Sequence, residues 1–377
     1  MRWFVTAALL VVAGLALFLA GRPATEYRWN LPASMPPPAV PADNPMSAVK
    51  VELGRWLFYD RRLSINGTMS CANCHLQELA FTDARAQALG ATGELHPRGS
   101  MSLVNAAYGS RLTWANYLLD RLEVQALTPM FGEAPVEMGM AGKDQVIIDL
   151  LRTDDRYREL VREAFPDDAD PYSVLNTVRA IASFVRSIVS FDSAYDHYLQ
   201  GDESAMSAAQ VRGMNLFFSE KTECFHCHGG FNFTDSSTHA SSRIESVGFH
   251  NNGLYNIDGQ GAYPPGNTGL HELTGEPRDM GRFKAPTLRN IAVTAPYMHD
   301  GSIRTLGEVL DHYQQGGRKI AAGPFAGDGS RNPYKSVFVR AFDLTETDRE
   351  DLLAFLGALT DESVRSNPDF SNPYRAR

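Results

Sequence analysis

The chain has 377 residues, 44% apolar content and a formal net charge of −9. That is enough apolar material for two globular cores of ordinary size. The acidic balance argues against nucleic acid or an anionic membrane surface as a partner, and it does not choose among protein partners.

In chain order, Arg2 precedes an uncharged run of 18 residues, Trp3 to Ala20, which ends at Gly21, Arg22 and Pro23. A short basic start and an apolar core predict a secretory signal peptide over residues 1–22. The length of the run makes an uncleaved N-terminal membrane anchor the competing reading. On either reading the rest of the chain is exported, to the periplasm, and membrane contact is expected only through this segment. Residues 21–47 then carry seven prolines: Pro23, Pro32, Pro36, Pro37, Pro38, Pro41 and Pro45. That composition predicts a stiff, extended leader (23–47) rather than a folded element, with folding starting near Ala48.

All four cysteines fall in two C-x-x-C-H motifs, Cys71-Ala72-Asn73-Cys74-His75 and Cys224-Phe225-His226-Cys227-His228. Four cysteines in an exported protein would ordinarily pair as two disulfides. Neither a disulfide nor a zinc or redox C-x-x-C needs an adjacent histidine twice over. The pattern is that of covalent c-type haem attachment. The two thiols add to the haem vinyl groups, and the next histidine falls beneath the iron as its proximal ligand. His75 and His228 are therefore expected to hold one iron each.

The motifs sit in a repeated frame. Gly54-x-x-Leu57-Phe58 precedes the first and Gly213-x-x-Leu216-Phe217 the second. Phe81-Thr82-Asp83 follows His75 as Phe233-Thr234-Asp235 follows His228, and Ser102-Leu103-Val104-Asn105 is echoed by Thr287-Leu288-Arg289-Asn290. Between the halves, Asp144–Phe165 and Pro171–Leu199 have helical spacing, as in Val178, Ile181, Phe184, Val185 and Ile188. Gly201-Asp202-Glu203-Ser204 breaks the pattern and marks a boundary. Strand-like alternation is scarce. The expected fold is mainly α: two cytochrome-c-like domains, 48–203 and 204–377, each with one covalent haem and related by internal duplication.

A longer colinear set carries a resemblance. It includes Leu53-Gly54-Arg55, Leu57-Phe58-Tyr59-Asp60, both haem motifs, Leu122-Glu123-x-Gln125-Ala126 and Pro135-Val136-Glu137-Met138. It continues through Ala180-Ile181-Ala182-Ser183-Phe184 and Pro286-Thr287-Leu288-Arg289-Asn290 to Thr294-Ala295-Pro296-Tyr297-Met298-His299-Asp300-Gly301. In these residues the chain resembles the bacterial diheme cytochrome c peroxidase and MauG superfamily over nearly everything after the leader. The leader itself, Tyr27-Arg28-Trp29-Asn30-Leu31-Pro32 with Val40-Pro41-Ala42-Asp43-Asn44-Pro45, is similar to the MbnH-like subgroup.

The resemblance implies roles. In the peroxidases a methionine fourteen residues after the histidine of the His-x-Gly element ligates the C-terminal haem; counting from His299 gives Tyr313. Tyrosine there implies the MauG-like branch, and the adjacent His312 is the rival ligand. Phenolate favours ferric and higher oxidation states, whereas methionine favours ferrous iron. On the distal side of the N-terminal haem the family's glutamate and glutamine map to Glu137 and Gln125. Met130, Met138 and Met140 share that stretch, with packing their expected use, and His96 lies in the loop of a removable distal histidine. Trp114 matches the inter-haem tryptophan, although the usual Trp-Asp-Gly-Arg has become Trp114-Ala115-Asn116-Tyr117. MauG's surface tryptophan ahead of the second motif is Thr222 here. A calcium ion between the haems is implied, with Thr294 and Pro296 matching two positions and Gly99 replacing the asparagine of the third. His239, His250 and His271 are too irregularly spaced to read as a metal cluster.

Three functions follow from these readings. The first is an oxidoreductase that uses hydrogen peroxide, or oxygen plus electrons, to reach a bis-Fe(IV) state and oxidise a residue, expected to be tryptophan, on a partner protein. The second is a cytochrome c peroxidase that draws electrons from a small redox partner protein. The third is a plain electron-transfer cytochrome.

Overall fold

The computed structural model describes residues 27–375; the segment read as a signal or anchor, residues 1–22, lies outside them. The longer helices in chain order are α1 (Ala48–Tyr59), α2 (Asp144–Thr153), α3 (Asp155–Ala164), α4 (Val174–Ser187), α5 (Ala194–Leu199), α6 (Ala208–Phe217), α7 (Leu306–Gln314) and α8 (Glu346–Ala358). Strand among the described residues is confined to two antiparallel ribbons, β1 (Phe249–His250) with β2 (Phe283–Lys284), and β3 (Lys319–Ile320) with β4 (Gly327–Asp328). None of the helices described is long and apolar enough to cross a membrane.

Helix ends follow local chemistry. Ser47 caps α1 by accepting from the Lys50 amide at 3.2 Å, which satisfies one of the donors a helix start leaves open. The predicted Asp144–Phe165 helix is in fact two. Asp154 is extended, and its carboxylate accepts from the amides of Arg156 and Tyr157 as the cap of α3. A side chain that competes for backbone donors stops one helix and starts the next. Pro171–Leu199 likewise divides into α4 and α5, where Ser193 and Asp196 form a capping box.

Two glycines set how the helices cross. A Cβ at Gly54 would lie 1.9 Å from the Ala180 carbonyl oxygen of α4, and one at Gly213 would lie 1.9 Å from the Asp351 carbonyl oxygen of α8. Only a missing side chain lets α1 and α6 approach their partners this closely. Phe58, Phe81, Ile181 and Phe184 fill the first core, and Phe217, Phe233, Leu352 and Phe355 the second. Each such side chain contributes roughly 1.5–3 kcal/mol when fully buried. Equivalent loops also match: Phe81 and Phe233 have φ 61° and 51°, and Asn105 and Asn290 have φ 57° and 63°.

The two cores exchange segments. Tyr195 of α5 and Met206 pack in the second core, whereas Val364 and Phe370 near the C-terminus return to the first. Tyr59 donates its hydroxyl to the Phe370 carbonyl at 2.8 Å, and Gln77 donates to the Val364 and Asn367 carbonyls. The leader has no helix or strand between residues 27 and 47, as expected. It is nonetheless docked rather than a free lead-in. Asn44 is fully buried and donates to Glu123 at 2.7 Å, and Tyr108 donates to the Pro36 carbonyl at 2.9 Å.

Candidate haem centres

Each C-x-x-C-H motif forms a single turn, which brings its histidine back under its first cysteine. The amide of His75 donates to the Cys71 carbonyl at 3.1 Å, and that of His228 to the Cys224 carbonyl at 3.0 Å. Each ring is then fixed by Nδ1, at 2.9 Å from the Phe81 carbonyl and 3.2 Å from the Phe233 carbonyl. A carbonyl only accepts, so Nδ1 carries the proton and Nε2 is left with its lone pair. Burial lowers both imidazole pKa values, to about 4 for His228. Both rings are therefore neutral, the state that binds a metal.

The thiols are free and lie in the same walls as the histidines. Burial pushes Cys71 up to about 12, and Cys74 and Cys224 up to about 11. Two thiols and a histidine with a free Nε2 in one cavity wall fit haem attachment at each motif.

Gln125, Pro129, Met130, Glu137 and Met138 line the first cavity together with Cys71, Cys74 and His75. Met140 is buried in the core instead. Two residues before Gln125, Glu123 pairs with Arg186 at 2.8 Å, both buried. Burial pushes the Glu137 carboxyl above its ordinary range, as expected of a group kept to take up and release a proton. His96 faces a wider cavity that His75 also borders, and its Nδ1 accepts from the Arg98 amide at 3.1 Å.

The second cavity sets Tyr313 in the same wall set as Cys224, Cys227 and His228. Burial raises the pKa of its phenol. His312, the rival, is turned away: its Nε2 meets the Asn252 carbonyl at 3.1 Å, and it does not line this cavity. Adjacent residues on α7 point about 100° apart, so the two cannot both face the same space.

Trp114 borders both the second cavity and the wider one beside His75. Its indole Nε1 donates to the Gly99 carbonyl at 2.9 Å. Thr294 and Pro296 border the wider cavity. With the Gly99 carbonyl already engaged, the donor set for calcium is thin. Thr222 is buried and donates to the Leu216 carbonyl, so it is no surface counterpart of a tryptophan. His239, His250 and His271 bond separately, with the Ser241 amide, Asp235 and the Glu276 carbonyl respectively.

Two features escaped the sequence. Glu220, Glu223 and His226 cluster beside the second motif. His226 Nε2 lies 2.7 Å from Glu223, which also pairs with Arg340. The other is Lys284, a buried lysine bordering the wider cavity beside His75 and the second cavity. Nothing in the Phe283-Lys284-Ala285 stretch signals burial, since lysine is ordinarily a surface residue.

A largely helical fold with two cavities, each walled by a C-x-x-C-H motif, is that of a di-haem oxidoreductase. A family model described as di-haem cytochrome c peroxidase matches residues 48–204. The chain is 35% identical over 342 residues to the methylamine utilization protein MauG of Methylorubrum extorquens, covering 90% of this chain and 85% of that protein. It is also 35% identical over 370 residues to the cytochrome-c peroxidase IdrP1 of a Pseudomonas species, covering 93% of this chain and 91% of that one. Among solved structures it is similar to a MauG-like protein associated with microbial copper homeostasis, with a TM-score of 0.91, 52% identity, and coverage of 93% of this chain and 100% of that one. The chain belongs to the di-haem cytochrome c peroxidase/MauG family, and it is a haem-dependent oxidoreductase.

Proposed function

We propose that the chain is a periplasmic enzyme with two covalent haems that takes oxidising equivalents from hydrogen peroxide and uses them on a tryptophan of a partner protein. Residues 48–203 and 204–377 are, on this reading, haem units descended from one duplicated ancestor. The matching glycine crossings and histidine–carbonyl bonds support that descent. The observation that carries the functional reading is Tyr313, a phenol rather than a thioether in the wall of the His228 cavity. Bound at His75 and His228, the two haems would supply the redox chemistry.

The protein's own residues do the rest. The Glu137 carboxylate accepts the proton from one peroxide oxygen and returns it to the other, which leaves as water. The Gln125 amide orients the peroxide by hydrogen bonding. Trp114, which borders the second cavity and the wider one beside His75, carries electrons between the two sites. Tyr313 completes the second site with an oxygen donor that favours the oxidised state. A calcium ion held by the Thr294 and Pro296 carbonyls is part of this reading, and no step depends on it.

The similar protein associated with copper homeostasis directs the choice of partner towards a copper-handling protein. The test mixes the purified haem protein with peroxide and then with such a partner. The expected result is a near-infrared bis-Fe(IV) band, followed by oxidised tryptophan in the partner's mass spectrum. Rapid steady-state oxidation of a reduced small cytochrome, with the partner unmodified, would select a cytochrome c peroxidase instead. Absence of any spectral response to peroxide would select an electron-transfer protein.

A further inference from the structure

Lys284 is an unusual lysine. It is the second residue of β2, and its backbone pairs with Phe249 of β1. Its side chain is buried, 7% exposed, and its Nζ has one acceptor, the Ala285 carbonyl at 3.5 Å. That is the outer limit of a hydrogen bond. The other buried lysine shows what a satisfied one looks like: Lys50 Nζ has Asn44 at 3.1 Å and the Pro45 carbonyl at 2.6 Å. Among the described residues no carboxylate comes within 4.0 Å of the Lys284 ammonium. The Asp235 carboxylate, whose charge works against the effect of burial, is bonded to His250 at 2.5 Å.

An unpaired buried ammonium costs several kcal/mol. Burial lowers the Lys284 pKa to about 8, which leaves it mainly charged at neutral pH. Such a residue is tolerated when an anion arrives with a bound group. The position says which group. Lys284 borders both the wider cavity beside His75 and the cavity of His228, together with Trp114, Pro286 and Met298. A haem in either cavity brings two carboxylate side chains of its own.

We infer that Lys284 is the counter-ion of the haem carboxylates at the junction of the two sites, and a positioning residue that sets haem reduction potential. This rests on the two-haem reading above. A fixed positive charge beside a haem disfavours the ferric form, so removing it shifts the equilibrium towards ferric iron. The same charge ties the electrostatics of one site to the other, because one ammonium serves both.

The test is a spectroelectrochemical titration of the haem-loaded protein, wild type against Lys284→Met, which removes the charge at similar length, and Lys284→Arg, which keeps it. In Lys284→Met at least one haem is expected to show a tenfold higher ferric-to-ferrous ratio at fixed applied potential, equivalent to 59 mV for a one-electron couple. Lys284→Arg is expected to recover most of that shift. Should the methionine variant fail to fold, Lys284→Gln removes the same charge and is read in the same way. Ratios within twofold of wild type at both haems of a neutral variant would overturn the proposal. Wild-type protein without two covalent haems would instead overturn the reading beneath it.

Discussion

The backbone amide of Lys284 donates to the carbonyl of Trp114 at 2.7 Å. This bond ties the backbone of Trp114 to the short ribbon β1–β2, while the indole, which borders the second and the wider cavity, donates its Nε1–H to the Gly99 carbonyl. Trp114 is thus fixed at two points, one on strand β2 and one on the loop of Gly99. Trp114→Phe keeps an aromatic ring and loses the Gly99 bond, worth about 1 kcal/mol, with part of the packing against its core cluster. Its melting curve should therefore move little. Partner oxidation should fall far more than the rate of the initial reaction with peroxide, measured by stopped flow on the same samples.

Glu137 is the residue on which the peroxide step turns. Glu137→Gln should slow that step by roughly 10²–10⁴-fold, the range of general acid–base assistance. A base must be ionised, and burial holds this carboxyl above its ordinary range. The wild-type rate should therefore fall as pH drops through that raised value. The glutamine variant should lack that acid limb in a stopped-flow pH series.

The two glycine crossings make matched predictions. Gly54→Ala and Gly213→Ala each drive a methyl into a backbone carbonyl 1.9 Å away. Each should lose on the order of 3 kcal/mol, the upper range for overpacking. At Gly357 in α8, a methyl would meet nothing within 4 Å. Gly357→Ala should leave stability equal or up to about 1 kcal/mol higher, since alanine is the better helix former. Denaturant titration of the three variants checks all of this.

Glu123 links stability to pH. Burial opposes its ionisation, but Arg186 and Asn44 outweigh that and hold its carboxyl below the ordinary range. A depressed carboxyl contributes stability above its unfolded value and loses it as pH falls through the folded one. Glu123→Gln should cost roughly 3–5 kcal/mol near neutral pH by leaving Arg186 buried and unpaired. It should also flatten the acid side of the stability profile, read by denaturant titration at a series of pH values.

Much of the site was legible because its chemistry is local. A C-x-x-C-H motif is one turn of chain, and the spacing from His299 to Tyr313 survives in a continuous segment that α7 closes. The repeated Gly-x-x-Leu-Phe pattern, read as part of a repeated frame, coincides with two similar helix crossings. What stayed hidden depends on distant segments. Nothing near Asn44 says that it bonds to Glu123, 79 positions away. Nor does the C-terminal sequence say that Phe370 returns to the first core. Lys284 reads as a surface charge until tertiary packing encloses it. The split of Asp144–Phe165 at Asp154 was in principle readable, since aspartate is a favoured cap, but apolar periodicity runs unbroken through it.

The most direct test of the central claim, two unequal haem sites with Tyr313 completing the second, is electron paramagnetic resonance on the ferric protein. One high-spin and one low-spin signal are expected, the first from the haem at His75 and the second from the haem at His228. Tyr313→Phe should abolish or transform the low-spin signal and leave the high-spin one intact. Two low-spin signals in the wild type, or a spectrum unchanged in Tyr313→Phe, would contradict the account.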